Sequence, residues 1–318
     1  MSKKRRTNAK TNKKQLTLEF LITFFIAIMI IVFRAQYDEA NQNFIENSFA
    51  NTNKITAEES ENIVLNENSS ILQIHFFDVG QADSILLISN EHAMLIDAGN
   101  NQDGTTVVNN IKNLGITKLD YVVGTHPHAD HIGGLDNVIS NFDIGTIYMP
   151  KIQTNTKTFE DVLDAAQKKN LKIKAPKQGD KFTLGDAECE IMLAGIGSKE
   201  EEENLNLSSI AIRATYKEQS YLFMADAESQ NEASRTWPQT NVLKVGHHGS
   251  NTSSSEEFLK QVNPQIAIIQ VGKDNDYHHP HKVTLNKLNK LSTLIYRTDE
   301  KGNILLESDG INNKISFY

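Results

Sequence analysis

The stretch THPHADHIGG at residues 125–134 holds three histidines and an aspartate within six positions. It directly follows an apolar run, residues 119–124, that is typical of a buried strand. A turn after a strand spreads its side chains, so His126 and His128 can reach one cation while Asp130 and His131 reach a second. Zinc accepts imidazole and carboxylate ligands together, and two nearby cations clamp an oxygen-rich substrate. The stretch therefore predicts a metal-dependent hydrolase, with a His-rich polar loop as the alternative.

The composition is that of a globular protein. The chain has 318 residues, of which 39% are hydrophobic and 23% charged, enough for one large core or two small ones. A single cysteine, Cys189, excludes both an internal disulfide framework and a thiolate metal cluster. We expect Cys189 to be a small buried apolar residue, and any metal to be held by histidines and carboxylates.

Charge is distributed unevenly along the chain. Residues 1–34 carry eight lysines and arginines against one acid, Glu19, so the rest is near −15 when the whole chain is −8. An acidic body gains nothing from counterion release on DNA. We therefore expect any phosphate substrate to be attracted locally, by metals, and not by the general surface.

Four segments follow from the order of charge and hydropathy. Residues 1–15 form a basic cytoplasmic tail, and residues 16–33 are apolar enough for a short membrane span. Residues 34–70 are rich in Asn, Glu, Ser and Thr and predict a flexible tether, and the folded domain occupies residues 71–318. The prediction is a single-pass protein of the cell membrane with an extracellular domain. Secretion after cleavage of a signal peptide is the alternative.

Within residues 71–318, short apolar runs alternate with amphipathic stretches. A strand meander followed by mixed strands and helices occurs twice, which predicts an α+β fold with two face-to-face sheets and helices outside. Strands are expected near residues 71–77, 84–88, 93–97, 119–124, 144–148, 171–173, 209–216, 221–224, 241–245 and 266–270, and again from residue 292 to the end. Helices are expected near 105–114, 158–169, 255–261 and 284–291, with a further one that begins at Asp130 or its neighbours.

Three further polar sites follow apolar runs. Asp226 comes directly after residues 221–224, where a carboxylate can bridge two cations or merely cap a helix. His247 and His248 follow the run at 241–245, where one could bind metal and the other donate to a developing negative charge. The sequence does not decide between them, and we assign His247 to metal and His248 to catalysis. His279, in the turn NDYHHPH at 275–281, is expected to act as an acid or a substrate contact, unless it is an ordinary loop residue.

Two further aspartates and two isolated histidines are expected to have supporting or structural roles. Asp97 ends an apolar run and is expected to orient a metal-binding imidazole, although Asp78 and Asp97 could each only satisfy turn amides. His75 and His92 stand alone on strand-like segments and are expected to be structural.

Five stretches, at residues 77–84, 95–99, 125–134, 244–250 and 277–280, give the chain a family resemblance. In this order they resemble the metallo-β-lactamase superfamily, and more narrowly the exported hydrolase domain of ComEC-type DNA-internalisation competence proteins. The resemblance implies a four-layer αββα sandwich with two divalent metals, zinc or manganese, at one sheet edge. It implies that His126 and His128 hold metal 1, that Asp130 and His131 hold metal 2 with His247 or His248, and that Asp226 bridges them.

The chain also departs from that family. The superfamily usually offers metal 1 another histidine, and none lies between His131 and His247. Asn206 or Ser208 stands in its place, so metal 1 could bind weakly. Ala82 and Ala225 replace glycines that are usual in their turns. Only one span is predicted, so DNA transport is not a function that the resemblance transfers.

The resulting hypothesis is an exported, membrane-anchored binuclear metallohydrolase. It would act as a phosphodiesterase or nuclease-like enzyme that uses a metal-activated hydroxide, with Asp130, His248 and His279 as catalytic residues. The expected substrate is a phosphodiester of nucleic acid or of a cell-envelope polymer, and no obligate protein partner is inferred. The alternatives are a β-lactam or thioester hydrolase and a non-catalytic envelope-binding protein with a degraded metal site.

Overall fold

A computed structural model describes residues 63–66 and 70–318 of this protein. The predicted basic tail, the predicted membrane span at 16–33 and most of the predicted tether lie outside these residues. Among the described residues, no helix has both the length and the apolar composition needed to cross a membrane.

The described part of the chain contains fifteen strands, nine α-helices and two 3₁₀ helices, Leu205–Ser208 and Gly246–Gly249. The strands are β1 Leu72–Phe76, β2 Ile85–Ser89, β3 His92–Ile96, β4 Lys118–Val123, β5 Asp143–Tyr148, β6 Ile173–Lys174, β7 Lys181–Leu184, β8 Ala187–Leu193, β9 Ala211–Tyr216, β10 Gln219–Phe223, β11 Val242–Lys244, β12 Ile266–Ile269, β13 Leu294–Arg297, β14 Ile304–Ser308 and β15 Asn313–Phe317. The α-helices are α1 Gly104–Asn113, α2 Ala129–Ile132, α3 Leu135–Asn141, α4 Lys157–Lys168, α5 Lys199–Glu203, α6 Ser229–Ala233, α7 Glu256–Val262, α8 Lys282–Lys290 and α9 Thr298–Lys301.

The strands form two sheets. The first has eight strands in the order β15-β14-β1-β2-β3-β4-β5-β6, and the second has seven in the order β13-β12-β11-β10-β9-β8-β7. Strands β3 to β6 of the first sheet run parallel to one another, as do strands β10 to β13 of the second. The remaining pairings are antiparallel.

Successive side chains of a strand point to opposite faces of its sheet, and the apolar residues thus form three buried clusters. On β1, Leu72, Ile74 and Phe76 join a cluster that also includes residues of the second sheet and fills the space between the sheets. Leu95 of β3 belongs to a second cluster, on the opposite face of its sheet and under helices α1 to α4. Leu243 of β11 belongs to a third, under α7 and α8. The predicted sandwich with helices outside both sheets is therefore confirmed.

Several elements differ from the sequence-based expectation. The predicted helices all exist within about two residues of their predicted ends. Strands β7 and β8 had no counterpart in the prediction, and β6 covers only Ile173–Lys174. Strand β7 is the edge strand of the second sheet, and β8 lies next to it. More exposed polar residues alternate with less exposed ones along β7 and the first half of β8, so the apolar run that marks a central strand is confined to residues 191–193.

His75, on β1, is structural as expected. It is buried, its Nδ1 lies 2.9 Å from the Tyr318 hydroxyl, and burial lowers its pKa to about 4. His92, the other isolated histidine, is exposed and lies 2.9 Å from Asp120. Neither belongs to the groups of residues that could hold a metal in the described part of the chain.

The lowered pKa of His75 gives stability a pH dependence. Unfolded His75 binds a proton more readily than folded His75, so its contribution is present above about pH 6.5 and is lost as the pH falls towards about 4. Between pH 7 and pH 5 we expect this residue to cost about 2 kcal/mol of unfolding free energy. Urea unfolding of the wild type and of His75→Gln at both pH values measures it. An identical pH dependence in the two proteins would contradict the prediction.

Candidate metal centre

The parallel strands bring the polar motifs together at one edge. Strands β3 and β4 are adjacent and parallel, so Asp97 lies beside the histidine turn, and its N–H donates to the carbonyl of Val123 at 2.8 Å. Strands β10 and β11 are likewise parallel, and the N–H of His247 donates to the carbonyl of Ala225 at 2.8 Å. The carboxyl ends of neighbouring parallel strands in both sheets therefore supply the site.

Two glycines let the histidine turn pack closely against the loop that follows β3. A Cβ on Gly133 would lie 2.3 Å from the backbone of Asn100 and Asn101, and one on Gly134 would lie 2.4 Å from the carbonyl oxygen of Ala98. These distances are impossible for any other residue without moving the backbone. The glycines therefore allow α2, which carries Asp130 and His131, to sit against Asp97 and its neighbours.

The carboxylate of Asp226 lies at the centre of the cluster. Its Oδ1 is 3.2 Å from His131 Nε2 and 3.6 Å from His248 Nε2. The Oδ2 of Asp130 is 3.4 Å from His248 Nε2 and 3.8 Å from His131 Nε2. These four residues each present one ligand atom, and the four atoms all lie within 4.8 Å of one another. This group matches the predicted metal 2 site, with His248 as its last member.

The other oxygen of Asp226 faces a different pair of imidazoles. Its Oδ2 is 3.6 Å from His247 Nε2 and 3.9 Å from His126 Nε2. His128 Nδ1 in turn lies 3.0 Å from His126 Nε2. His247, the residue of the pair predicted to bind metal, thus lies on the side of His126 and His128, the predicted ligands of metal 1. The metal-binding and catalytic roles of these side chains stay predictions.

Three buried polar atoms at the centre fit a cation. His131 Nε2, His248 Nε2 and Asp226 Oδ1 are buried and have no hydrogen-bond partner. Unpaired polar atoms in a protein interior are costly, and these three converge on one point. Two imidazole nitrogens and a carboxylate oxygen are a ligand set suited to zinc or a similar divalent ion.

The charged groups of the cluster shift one another's pKa values. Burial raises the pKa of Asp226, but the nearby His131 and His248 outweigh burial and hold it well below its usual range. Burial lowers the pKa of His131, but Asp226 and Asp97 outweigh burial and hold it well above its usual range. Burial keeps the pKa of His126 far below its usual range, so this imidazole is neutral and able to bind a cation.

Each imidazole of the metal 2 group is held through its other nitrogen. His131 Nδ1 lies 2.8 Å from Asp97 Oδ2, whose carboxylate also accepts hydrogen bonds from the N–H and hydroxyl of Thr125. His248 Nδ1 lies 3.0 Å from the carbonyl oxygen of Gln270. The predicted contact between Asp97 and a site histidine is confirmed, whereas Asp78 is exposed and accepts from the N–H of Gly80 in its own turn.

A buried ion pair behind His248 was not predicted. Lys244 is fully buried, its Nζ donates to Asp83 Oδ2 at 2.7 Å, and Asp83 Oδ1 lies 3.3 Å from His248 Nδ1. The signal was present in the sequence, since Lys244 is a charged residue within the apolar run 242–245. A lysine inside a buried strand requires a buried anion.

Of the two residues considered in place of the missing metal 1 histidine, Asn206 lines the cavity at the site and Ser208 is not among its lining residues. The side chain of Asn206 lines the same cavity as Asp130 and Asp226, its Nδ2 donates to Glu228 at 3.3 Å, and its buried Oδ1 has no partner. Ser208, the other residue considered, donates its hydroxyl to the carbonyl of Leu205 at 2.7 Å. Asn206 Oδ1 is therefore the oxygen at this position that is open to a cation or a substrate.

His279 reaches the site from the loop after β12. It lines the cavity with Asp226, and its ring centroid is 5.6 Å from that of His247. Burial and the charges of His248 and His247 lower its pKa to about 4. A neutral imidazole suits a substrate contact better than a general acid at neutral pH.

The backbone at the site is strained. Ala225, His247 and His248 have φ values of 49°, 49° and 51°, and Asp97 has 60°. Residues with a Cβ seldom adopt this left-handed region, and such positions cluster at functional sites. The left-handed conformation of Ala225 also explains why glycine is usual there.

Comparisons with known proteins show which proteins the chain is similar to. A family model described as the metallo-beta-lactamase superfamily matches residues 77–273. ComE operon protein 3 of Bacillus subtilis is 33% identical over 194 residues, which cover 60% of this chain and 25% of that protein. Recombination protein 2 of Haemophilus influenzae is 26% identical over 239 residues, which cover 73% of this chain and 28% of that protein. The resemblance to competence proteins of the ComEC type is confirmed.

The matched regions span about a quarter of the length of these relatives. Among solved structures, the metallo-beta-lactamase fold protein YhfI of Bacillus subtilis has a TM-score of 0.48 and 14% identity, with coverage of 75% of this chain and all of that one.

Proposed function

Because this chain belongs to the metallo-β-lactamase superfamily, we propose that it is a metal-dependent phosphodiesterase with two divalent metals. The observation that carries the proposal is the position of Asp226. One of its oxygens faces His131 and His248, and the other faces His126 and His247. A carboxylate placed in this way suits two cations held side by side.

The proposed metal ligands follow from these contacts. Asp130, His131 and His248 would hold one cation with Asp226, and His126 and His128 would hold the other, with His247 and Asn206 beside them. When bound, the divalent cations would activate a water molecule and withdraw charge from the oxygens of the substrate.

The protein's own groups would orient the metal-binding imidazoles and the attacking water. Asp97 and the Gln270 carbonyl fix the two imidazoles of the metal 2 group, so that Nε2 of each points to the site. Burial raises the pKa of Asp130, but the nearby charges of His131 and His248 outweigh burial and hold it below its usual range. Asp130 therefore stays a carboxylate that can accept a hydrogen bond from the attacking water.

A phosphodiester is the favoured substrate class for two reasons. Two cations held by these neighbouring groups of ligands would stabilise the charge on the entering and leaving oxygens of a displacement at phosphorus. One of the relatives is named a recombination protein, and recombination is a process of nucleic acids and not of β-lactams. A cell-envelope polymer joined by phosphodiesters is the other source of the same chemistry.

The test is an assay of the full-length chain, stripped of metal and reloaded with zinc or manganese. We expect turnover of bis-p-nitrophenyl phosphate, and a loss of about a hundredfold or more in Asp130→Asn. Asp161→Asn, an exposed acid on α4 that pairs with Lys157, is the control and should keep full activity.

Two results would contradict the proposal. Faster turnover of nitrocefin or a thioester than of the diester would indicate a β-lactam or thioester hydrolase. No turnover with either metal by a folded protein would indicate a binding protein with a degraded metal site.

We also propose that the domain is extracellular and held at the membrane by residues 16–33. The basic residues before this run and the flexible composition after it support the proposal. Fractionation of cells followed by protease treatment of intact spheroplasts tests it. A domain that remains protected from the protease would refute this topology.

A further inference from the structure

A large aromatic ring stands exposed at the mouth of the site. Tyr277 is 65% exposed, yet it lines the same cavity of about 250 Å³ as Asp130, Asp226 and His248. An exposed aromatic residue is ordinary when it stands alone, but here it borders the proposed metals. Its free face is therefore available to a group of the substrate.

The ring of Tyr277 begins a stack that leads inward. Its centroid is 5.7 Å from that of His279, with 25° between the ring planes. His279 is in turn 6.4 Å from His248, with 22° between their planes. Offset, nearly parallel rings at these distances are a favourable aromatic arrangement. A flat group placed on this stack would lie next to whatever is bound at the metals.

The loop that carries the stack is held by side chains. Asn275 Nδ2 donates to the carbonyls of Gly272 and His279 at 2.9 and 2.6 Å, and its Oδ1 accepts from the His279 N–H at 3.0 Å. Gln81 Oε1 accepts from the Gly272 N–H at 3.1 Å, and Gln81 Nε2 lies 3.4 Å from His279 Nδ1. The platform is thus fixed in advance, which lowers the entropic cost of binding a ring there.

We propose that Tyr277 and His279 form a stacking subsite for a nucleobase attached next to the scissile phosphodiester. The substrate class is then a single-stranded nucleotide phosphodiester. This inference rests on the proposed phosphodiesterase function and makes it more specific.

The chemistry favours this ligand over the alternatives. Every nucleobase offers a flat face to an aromatic side chain, so stacking binds nucleotides without regard to sequence. In a duplex these faces are covered by neighbouring base pairs, which favours a single strand or a chain end. The net charge of −8 also disfavours binding along the phosphate backbone of a long duplex. A polyol phosphate of the envelope has no flat ring and would gain nothing from Tyr277.

The experiment compares two diesters that share a leaving group, on the full-length metal-loaded chain. Thymidine 5′-(p-nitrophenyl phosphate) carries a base, whereas methyl p-nitrophenyl phosphate does not. We expect kcat/KM to be about tenfold higher for the thymidine ester, mainly through KM. Tyr277→Ala should remove this advantage and leave turnover of the methyl ester within about twofold. Tyr277→Phe should retain it.

Tyr318→Ala is the matched control, because Tyr318 is also a half-exposed tyrosine but contacts His75 instead. It should preserve the preference for the thymidine ester. As a second measurement, a short oligothymidylate should inhibit the wild type about tenfold better than Tyr277→Ala, while a poly(glycerol phosphate) should inhibit both equally.

The possible results distinguish failure of the stacking subsite from failure of the proposed phosphodiesterase function. Equal turnover of both esters, unchanged in Tyr277→Ala, would overturn the stacking subsite and leave the phosphodiesterase intact. Stronger inhibition by the glycerol phosphate polymer than by the oligothymidylate would also overturn the subsite. No turnover of either ester would overturn the proposed function and the subsite with it.

Discussion

We expect the Lys244→Met variant to lose about 3–5 kcal/mol of unfolding free energy. Lys244 is fully buried and donates to Asp83 at 2.7 Å and to the carbonyl of Val245 at 3.1 Å. Methionine fills similar space but leaves the carboxylate of Asp83 buried without its cation. Urea unfolding of the metal-free chain, followed by circular dichroism, measures the loss without a contribution from bound metal.

Lys181→Met is the matched control for this prediction. Lys181 also pairs with an acid, Glu190, at 3.5 Å, but its side chain is 74% exposed. An exposed pair contributes little, so we expect a loss of less than about 1 kcal/mol. Adding Asp83→Leu to Lys244→Met should restore part of the stability, because both charges are then gone. Equal losses in the two lysine variants would refute a special role for the buried pair.

The second large effect concerns Asp226. We expect Asp226→Asn to reduce bound zinc from about two ions per chain to fewer than one, because this carboxylate faces both groups of imidazoles. Phosphodiester turnover should fall by about a thousandfold or more. Metal analysis after dialysis, beside the kinetic assay, measures both quantities.

Asp309→Asn provides the control, since Asp309 is also a buried aspartate. It accepts hydrogen bonds from the N–H groups of Ile311 and Asn312, after β14. Asp309 is far from the site, because its neighbour Ser308 pairs with Leu72 at the start of β1 and the site lies beyond the other end of that strand. Asp309→Asn should affect stability and leave metal content unchanged. Two zinc ions retained by Asp226→Asn would exclude a bridging role for that residue.

The sequence predicted the site better than it predicted the sheet edges. Each motif stands directly after an apolar run, and parallel pairing of β3 with β4 and of β10 with β11 places those ends together. This is why Asp97 could be matched to a histidine before its contact was known. The division between His247 and His248 could not be predicted, because it depends on two successive left-handed residues that turn the rings towards different oxygens of Asp226.

Other parts of the molecule had weak signals in the sequence. Strand β7 lies at the edge of the second sheet with β8 next to it, and charged residues, Lys181 and Glu188, occupy exposed positions in these strands. The partnership of Asp83 with Lys244 joins residues that are 161 positions apart. Such a pair can be identified only when the fold is known, although a lysine within an apolar run already predicts a buried anionic partner.

The position of β14 has a consequence for the order in which the chain can fold. Strand β1 lies between β2, which is made soon after it, and β14, which is separated from it by more than two hundred residues. During synthesis, one edge of β1 therefore stays unpaired until almost the entire chain has emerged. Contacts that distant form slowly, and an open strand edge invites pairing with other chains. A nascent or truncated chain that lacks β14 would thus be prone to aggregation, even with all of its proposed metal ligands in place.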